Sequence, residues 1–145
     1  APTYAKHHGA LSQAEVAALF ASVDIVVEPS EFHGMGLVGA EALACGACLV
    51  STACKGPAAY LNHEENGLMV PHADLPQAVA RVVEDHALRA RLTEAGPPSV
   101  AHLDWPLVGA RWAVYLAELN LAENPAGKWA EQWKAIRRRA EAVLA

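Results

Sequence analysis

Residues 26–46 read Val26-Val27-Glu28-Pro29-Ser30-Glu31-Phe32-His33-Gly34-Met35-Gly36-Leu37-Val38-Gly39-Ala40-Glu41-Ala42-Leu43-Ala44-Cys45-Gly46. An apolar, β-branched run is halted by proline, two closely spaced glycines follow, and a run of small helix-compatible residues comes next. The pattern predicts a strand, a bare loop and the start of a helix. Glycines there let backbone approach backbone or a ligand, and a helix N-terminus offers N–H groups and the positive end of its dipole to a phosphate. Glu41 falls one turn into that helix on the face of Leu37, where a carboxylate can accept hydrogen bonds from two vicinal hydroxyls of a sugar or ribose. On the glycines alone, a tight strand-to-helix turn of any α/β domain is the better reading.

Working outward, Ser12-Gln13-Ala14-Glu15 fits a capping box, and Val16, Leu19, Phe20 and Val23 carry helical spacing over about 13–22. Thr3 to His8 reads as the tail of a strand, and Asp24 to Val27 as a buried parallel strand. After the glycine loop the helix ends at Gly46, and Ala47 to Ser51 begins the next strand. A loop, Cys54-Lys55-Gly56-Pro57, leads to a short helical segment, and Leu68-Met69-Val70 is a brief strand closed by Pro71. Asp74 is a candidate cap for a helix carrying Leu75, Val79, Val82 and Val83. Leu88 and Leu92 continue helical spacing to a break expected at Gly96-Pro97-Pro98. Leu107, Val108, Trp112, Tyr115, Leu116 and Leu119 mark a further amphipathic helix, and Lys128 to Leu144 a last one with tryptophans on one face and Arg137-Arg138-Arg139 on another. Strands alternating with helices predict an α/β fold with a parallel sheet and right-handed crossovers.

Composition narrows the functional classes. With 53% apolar and 19% charged residues, the 145-residue chain reads as globular, and a net charge of -5 argues against nucleic-acid binding. No apolar run reaches the length of a membrane span, and nothing at the N-terminus resembles a signal peptide, so a cytoplasmic location is expected. The seven histidines lack metal-ligand spacing, and no metal is expected. Cys45-Gly46-Ala47-Cys48 has the spacing of a redox or zinc pair but falls at a helix end and a strand start, where small buried thiols are common.

Pro29-Ser30, His33-Gly34-Met35-Gly36-Leu37 and Glu41-Ala42-Leu43-Ala44-Cys45-Gly46 together resemble the signature of the retaining, nucleotide-sugar-dependent glycosyltransferases of family 4, also called group 1. Gly9-Ala10-Leu11, Asn66-Gly67-Leu68-Met69-Val70-Pro71 and Asp104-Trp105 agree with it, in order, from about residue 6 to 119. The resemblance implies half of a GT-B fold: a Rossmann-like donor-binding domain over residues 1–121, truncated at its N-terminal side, with a helical extension over 122–145. It implies that the amides of Gly34, Met35, Gly36 and Leu37 face the donor diphosphate, that Glu41 binds the ribose, and that Leu11 packs near the nucleobase. The first of the family's paired glutamates is His33 here, placed by the resemblance near the donor sugar, where an imidazole cannot offer two acceptor oxygens. Lys55 is a weaker candidate phosphate ligand.

The implied function is the donor half of a retaining transferase acting on a glycan, lipid or small-molecule acceptor, as in polysaccharide biosynthesis. It uses a nucleoside-diphosphate sugar as substrate and no cofactor, and it is inactive without the N-terminal Rossmann-like domain that would complete the cleft. The other class is a non-catalytic nucleotide-binding or assembly module that self-associates through exposed apolar surface. Peripheral membrane contact through 128–144 is a further reading of the tryptophan and arginine pattern.

Overall fold

The structure, a computed structural model, describes residues 5–32 and 34–145. The chain falls into two compact units, Ala1–Val100 and Ala101–Ala145. The expected boundary at 121/122 falls inside a continuous helix, Trp105–Glu123, which belongs to the second unit.

In the first unit the elements follow as helix α1 (Gln13–Ala21), strand β1 (Ile25–Glu28), α2 (Leu37–Ala44), β2 (Cys48–Thr52), β3 (Leu68–Val70), α3 (Leu75–Glu84) and α4 (His86–Val100). The three strands form one parallel sheet in the order β1-β2-β3, with Val26 opposite Leu49 and Val50 opposite Leu68. This is the α/β, Rossmann-like class expected from the sequence. Strand β2 is buried along its whole length, which explains its unbroken apolar character. Its Cys48 and Val50 join Leu68, Leu75, Ala78, Val82, Leu88 and Leu92 in the core, while Leu49 meets α2 at Gly39. Burial pushes the Cys48 thiol up to about 11, against the opposing pull of Arg89, so this side chain is an inert core group.

Local signals set the helix ends. Ser12 and Glu15 form the full capping box of α1. Helix α2 closes in a Schellman motif: the Ala47 amide donates to the Ala42 carbonyl and the Gly46 amide to that of Leu43, both at 3.0 Å. Gly46 has φ +79° and nothing within 4 Å of where a Cβ would stand, so Gly46→Ala carries only the left-handed backbone penalty. We expect a loss of about 1 kcal/mol, read as a lower midpoint in thermal denaturation.

Three expectations are corrected. Residues 5–8 form no strand, residues 3 and 4 lying outside the described set. Asp74 makes no capping hydrogen bond: it closes a 3-10 turn, His72–Asp74, that runs straight into α3, and its helical backbone lacks the extended form that a capping side chain needs. Helix α4 does not break at Gly96-Pro97-Pro98 but carries both prolines to Val100. Leu88, Leu92, Gly96 and Val100 are buried at four-residue intervals, and Gly96 lies against Leu43, so packing along one face offsets the missing donors. Asp85 caps this helix, its carboxylate accepting from the Leu88 amide at 2.8 Å.

The second unit is built on a helical pair, α5 (Trp105–Glu123) and α6 (Ala130–Leu144). Its buried positions are small, Ala110, Ala117, Ala130 and Ala140, whereas Trp112, Tyr115, Leu116 and Leu119 are exposed despite their apolar spacing. Part of the basic stretch is matched by acids: Lys134 pairs with Glu131 at 2.7 Å, and Arg137 with Glu141 at 2.7 Å and Glu118 at 3.5 Å. Among the described residues no helix is long and apolar enough to cross a membrane.

Candidate functional site

In an open parallel sheet, ligands bind beyond the carboxyl ends of the strands. The segments leaving β1 and β2 meet there. The first, 29–36, is held at three points along its length. The Thr52 hydroxyl, at the end of β2, donates to the Ser30 carbonyl. Gly56 lies so close to the middle of the loop that a Cβ there would stand 2.0 Å from the Gly34 carbonyl oxygen and 3.0 Å from the carbonyl carbons of Gly34 and Met35. The Tyr60 hydroxyl donates to the Gly36 carbonyl at the mouth of α2.

Gly36 stands at the N-cap position with φ 75° and ψ 53°, a left-handed form that glycine alone adopts without penalty. Its carbonyl also accepts from the Gly39 amide at 3.1 Å and the Ala40 amide at 3.5 Å. Helix α2 then turns Gly39, Ala40, Ala42 and Leu43 inward, and leaves Leu37 and Glu41 exposed one turn apart. The first amides of an α-helix have no acceptor within the helix, and its dipole adds positive potential at that end. The arrangement can therefore take an anion at its tip and a hydroxyl-bearing group beside Glu41.

The structure thus places Gly34, Met35, Gly36, Leu37 and Glu41 on one continuous loop and helix, with Lys55 exposed in the neighbouring loop, next to Gly56. Leu11 is half-buried just ahead of Ser12, the cap of α1, and none of the described contacts joins it to the glycine loop. His33 lies outside the described residues. Among the described residues no three His, Cys, Asp or Glu side chains gather as a metal cluster would require.

Sequence reasoning missed the residues beneath the loop. Glu28 closes β1 and is 5% exposed, and Tyr60 is equally buried. A Cβ at Gly39 would stand 2.5 Å from the Tyr60 hydroxyl and 2.9 Å from Glu28 Oε2, so all three share one confined space. Burial first, and the Glu28 carboxylate second, push the Tyr60 phenol well above its ordinary value, so it stays a donor at physiological pH. The only signal in the sequence was Glu28 itself, an acid inside a run otherwise fit for a buried strand.

Asn66 is the second missed hub. Buried to 3% exposure, it donates to the Tyr60 carbonyl at 2.8 Å and to Ser99 Oγ at 2.7 Å, and accepts from the Asn62 amide at 2.7 Å. Beside it, Gly67 admits no side chain, since a Cβ would meet Leu61 at 2.6 Å and the Leu49 carbonyl at 2.8 Å.

Known proteins resemble this chain in sequence and in fold. The chain is 39% identical over 79 residues to the lipopolysaccharide core biosynthesis glycosyltransferase LpsE of Rhizobium meliloti, covering 52% of this chain and 23% of that protein. It is 33% identical to a D-inositol 3-phosphate glycosyltransferase of Pseudarthrobacter chlorophenolicus, over 66% of this chain and 24% of the other. It is likewise 33% identical to a GDP-mannose-dependent alpha-mannosyltransferase of Mycobacterium tuberculosis, over 69% and 27% respectively. The chain thus spans about a quarter of the length of these relatives. Among solved structures, sucrose-phosphate synthase from Thermosynechococcus elongatus superposes with a TM-score of 0.73 at 28% identity, over 79% of this chain and 30% of that one. That likeness agrees with half of a GT-B fold. The sequence profile of the glycosyl transferases group 1 matches residues 3–87, more than half of the chain, and with the fold and loop described above it shows that the chain belongs to that family.

Proposed function

We propose that this chain is the donor-binding, C-terminal part of a retaining family 4 glycosyltransferase. The observation that carries this reading is the glycine loop opening α2 at the carboxyl end of the sheet, with Glu41 exposed one turn further in. In this reading the amides of Gly34, Met35, Gly36 and Leu37 hold the diphosphate, Glu41 accepts from the ribose hydroxyls, and Lys55 adds a positive charge from the next loop. By the family resemblance His33 is assigned to the donor sugar and Leu11 to the base, and no metal ion is assigned to the site. A relative named as GDP-mannose-dependent supports a nucleotide-sugar donor.

Transfer also needs an acceptor held against the anomeric carbon, and positioning of the two partners supplies much of the rate. A second Rossmann-like domain would supply that wall, so this chain alone binds donor without turnover.

Isothermal titration with UDP and GDP tests the reading. One of the two should bind, and Glu41→Ala should weaken it by about ten- to a hundredfold, as the loss of charged hydrogen bonds requires. Because Glu41 is exposed, the thermal midpoint should not move. A chain blind to both nucleotides at millimolar concentration, or an unaffected variant, would remove the proposal.

A further inference from the structure

We propose that Tyr60 is a positioning residue for the turn that opens α2: its hydroxyl, seated in the space Gly39 leaves beside Glu28, fixes the Gly36 peptide and so aims the first amides of the helix. The ligand side of this inference rests on the donor-binding reading above. The clamp itself rests on geometry.

A trans peptide is a rigid plane in which C=O and N–H point in opposite directions. The plane that carries the Gly36 carbonyl also carries the Leu37 amide. Tyr60 and the amides of Gly39 and Ala40 draw that carbonyl into the protein, which turns the Leu37 N–H outward, toward the place where an anion would sit. Gly36 needs such a hold. A left-handed glycine reaches many alternative conformations at little cost, so without a fixed donor to its carbonyl the peptide plane would reorient and scatter the amides.

Other details point the same way. Gly39 leaves that room, because a methyl group there would stand 2.5 Å from the Tyr60 hydroxyl and displace it. The main chain on either side of the tyrosine is also secured, with the Tyr60 amide donating to the Pro57 carbonyl at 3.0 Å and its own carbonyl accepting from Asn66 at 2.8 Å. Buried beside a carboxylate, the phenol keeps its proton, so the hold does not lapse across the neutral range. Tyr60 thus links the loop after β1 to the segment after β2 at the point where a ligand's charge would fall.

Tyr60→Phe removes the hydroxyl and little else. In the isotope-labelled chain, amide exchange at Gly39 and Ala40 should quicken by roughly five- to tenfold, the loss of one hydrogen bond, while Val50 and Ser51 in β2 hold their rates. UDP or GDP, whichever the wild type binds, should weaken by a similar factor, and the matching monophosphate by less than about twofold. 4-Fluorophenylalanine at position 60, which fills the space of the hydroxyl without a donor, should give the same local signature and serves if Tyr60→Phe fails to fold. Exchange that rises uniformly through β2, or does not rise at all, overturns the clamp. Equal loss of diphosphate and monophosphate overturns its role toward the anion. A wild type that binds neither nucleotide, with the local exchange signature intact, supports the clamp and removes the donor reading instead.

Discussion

Gly56→Ala is expected to abolish measurable binding of UDP and GDP and to lower the thermal midpoint of the chain. The added methyl would stand 2.0 Å from the Gly34 carbonyl oxygen, and that neighbour is backbone rather than the end of a flexible side chain. Either loop must then move. If the segment around Gly34 moves, the amides assigned to the diphosphate separate; if Gly56 moves, it drags Pro57 and the 3-10 turn that carries Tyr60 toward its hydroxyl contact. Overpacking of this kind typically costs about 1–3 kcal/mol in stability. The effect on binding should be the larger, because several charge-assisted hydrogen bonds to the diphosphate are lost together. Titration calorimetry paired with thermal denaturation separates the two. An alanine variant that binds nucleotide as the wild type does would show that the two loops do not act together.

The second large effect falls on stability. Asn66→Ala should cost about 2–4 kcal/mol in chemical denaturation, since one buried amide serves the Tyr60 carbonyl, the Asn62 amide and Ser99 Oγ. Each of these groups would be left without that partner, in a place where water enters poorly. Ser99 retains one bond, to the Gly96 carbonyl at 2.6 Å, so the loss concentrates on the turn around Tyr60 and Asn62. Asn66→Asp keeps the shape but sets a buried carboxylate against the Tyr60 carbonyl in place of a donor, and should cost at least as much as alanine. An alanine variant within about 0.5 kcal/mol of wild type would contradict the assignment.

Where the sequence was legible, the signal was local. Ser12 and Glu15, four adjacent residues from end to end, announced the cap of α1, and Gly46 announced a Schellman turn whose hydrogen bonds stay within six residues. Strand β2 was legible because burial on both faces demands an apolar run. Misreadings came where distant contacts outweigh local preference. Gly96-Pro97-Pro98 looks like a stop, yet Leu43, some fifty residues away, gives that stretch a surface to pack on.

The candidate site divides the same way. Gly34, Gly36, Leu37 and Glu41 were readable from spacing along one loop and helix. Gly56, Tyr60 and Asn66 were not assigned their supporting parts, because what matters at each is a neighbour across the fold. Asn66-Gly67 was noticed as part of a motif, but its burial and its bond to Ser99 on α4 exist only in three dimensions.

Helix α2 divides the freedom to mutate along its length. Its inner side is fixed by Gly39, where a methyl would push on Tyr60, Glu28 and Leu49, and by the packed Ala42 and Leu43, whereas Leu37, Val38 and Glu41 look outward. In the donor-binding reading, a library randomised only at those three outward positions would therefore vary the contacts to the ligand with little effect on folding. New specificity can evolve here by changing the decoration and keeping the frame.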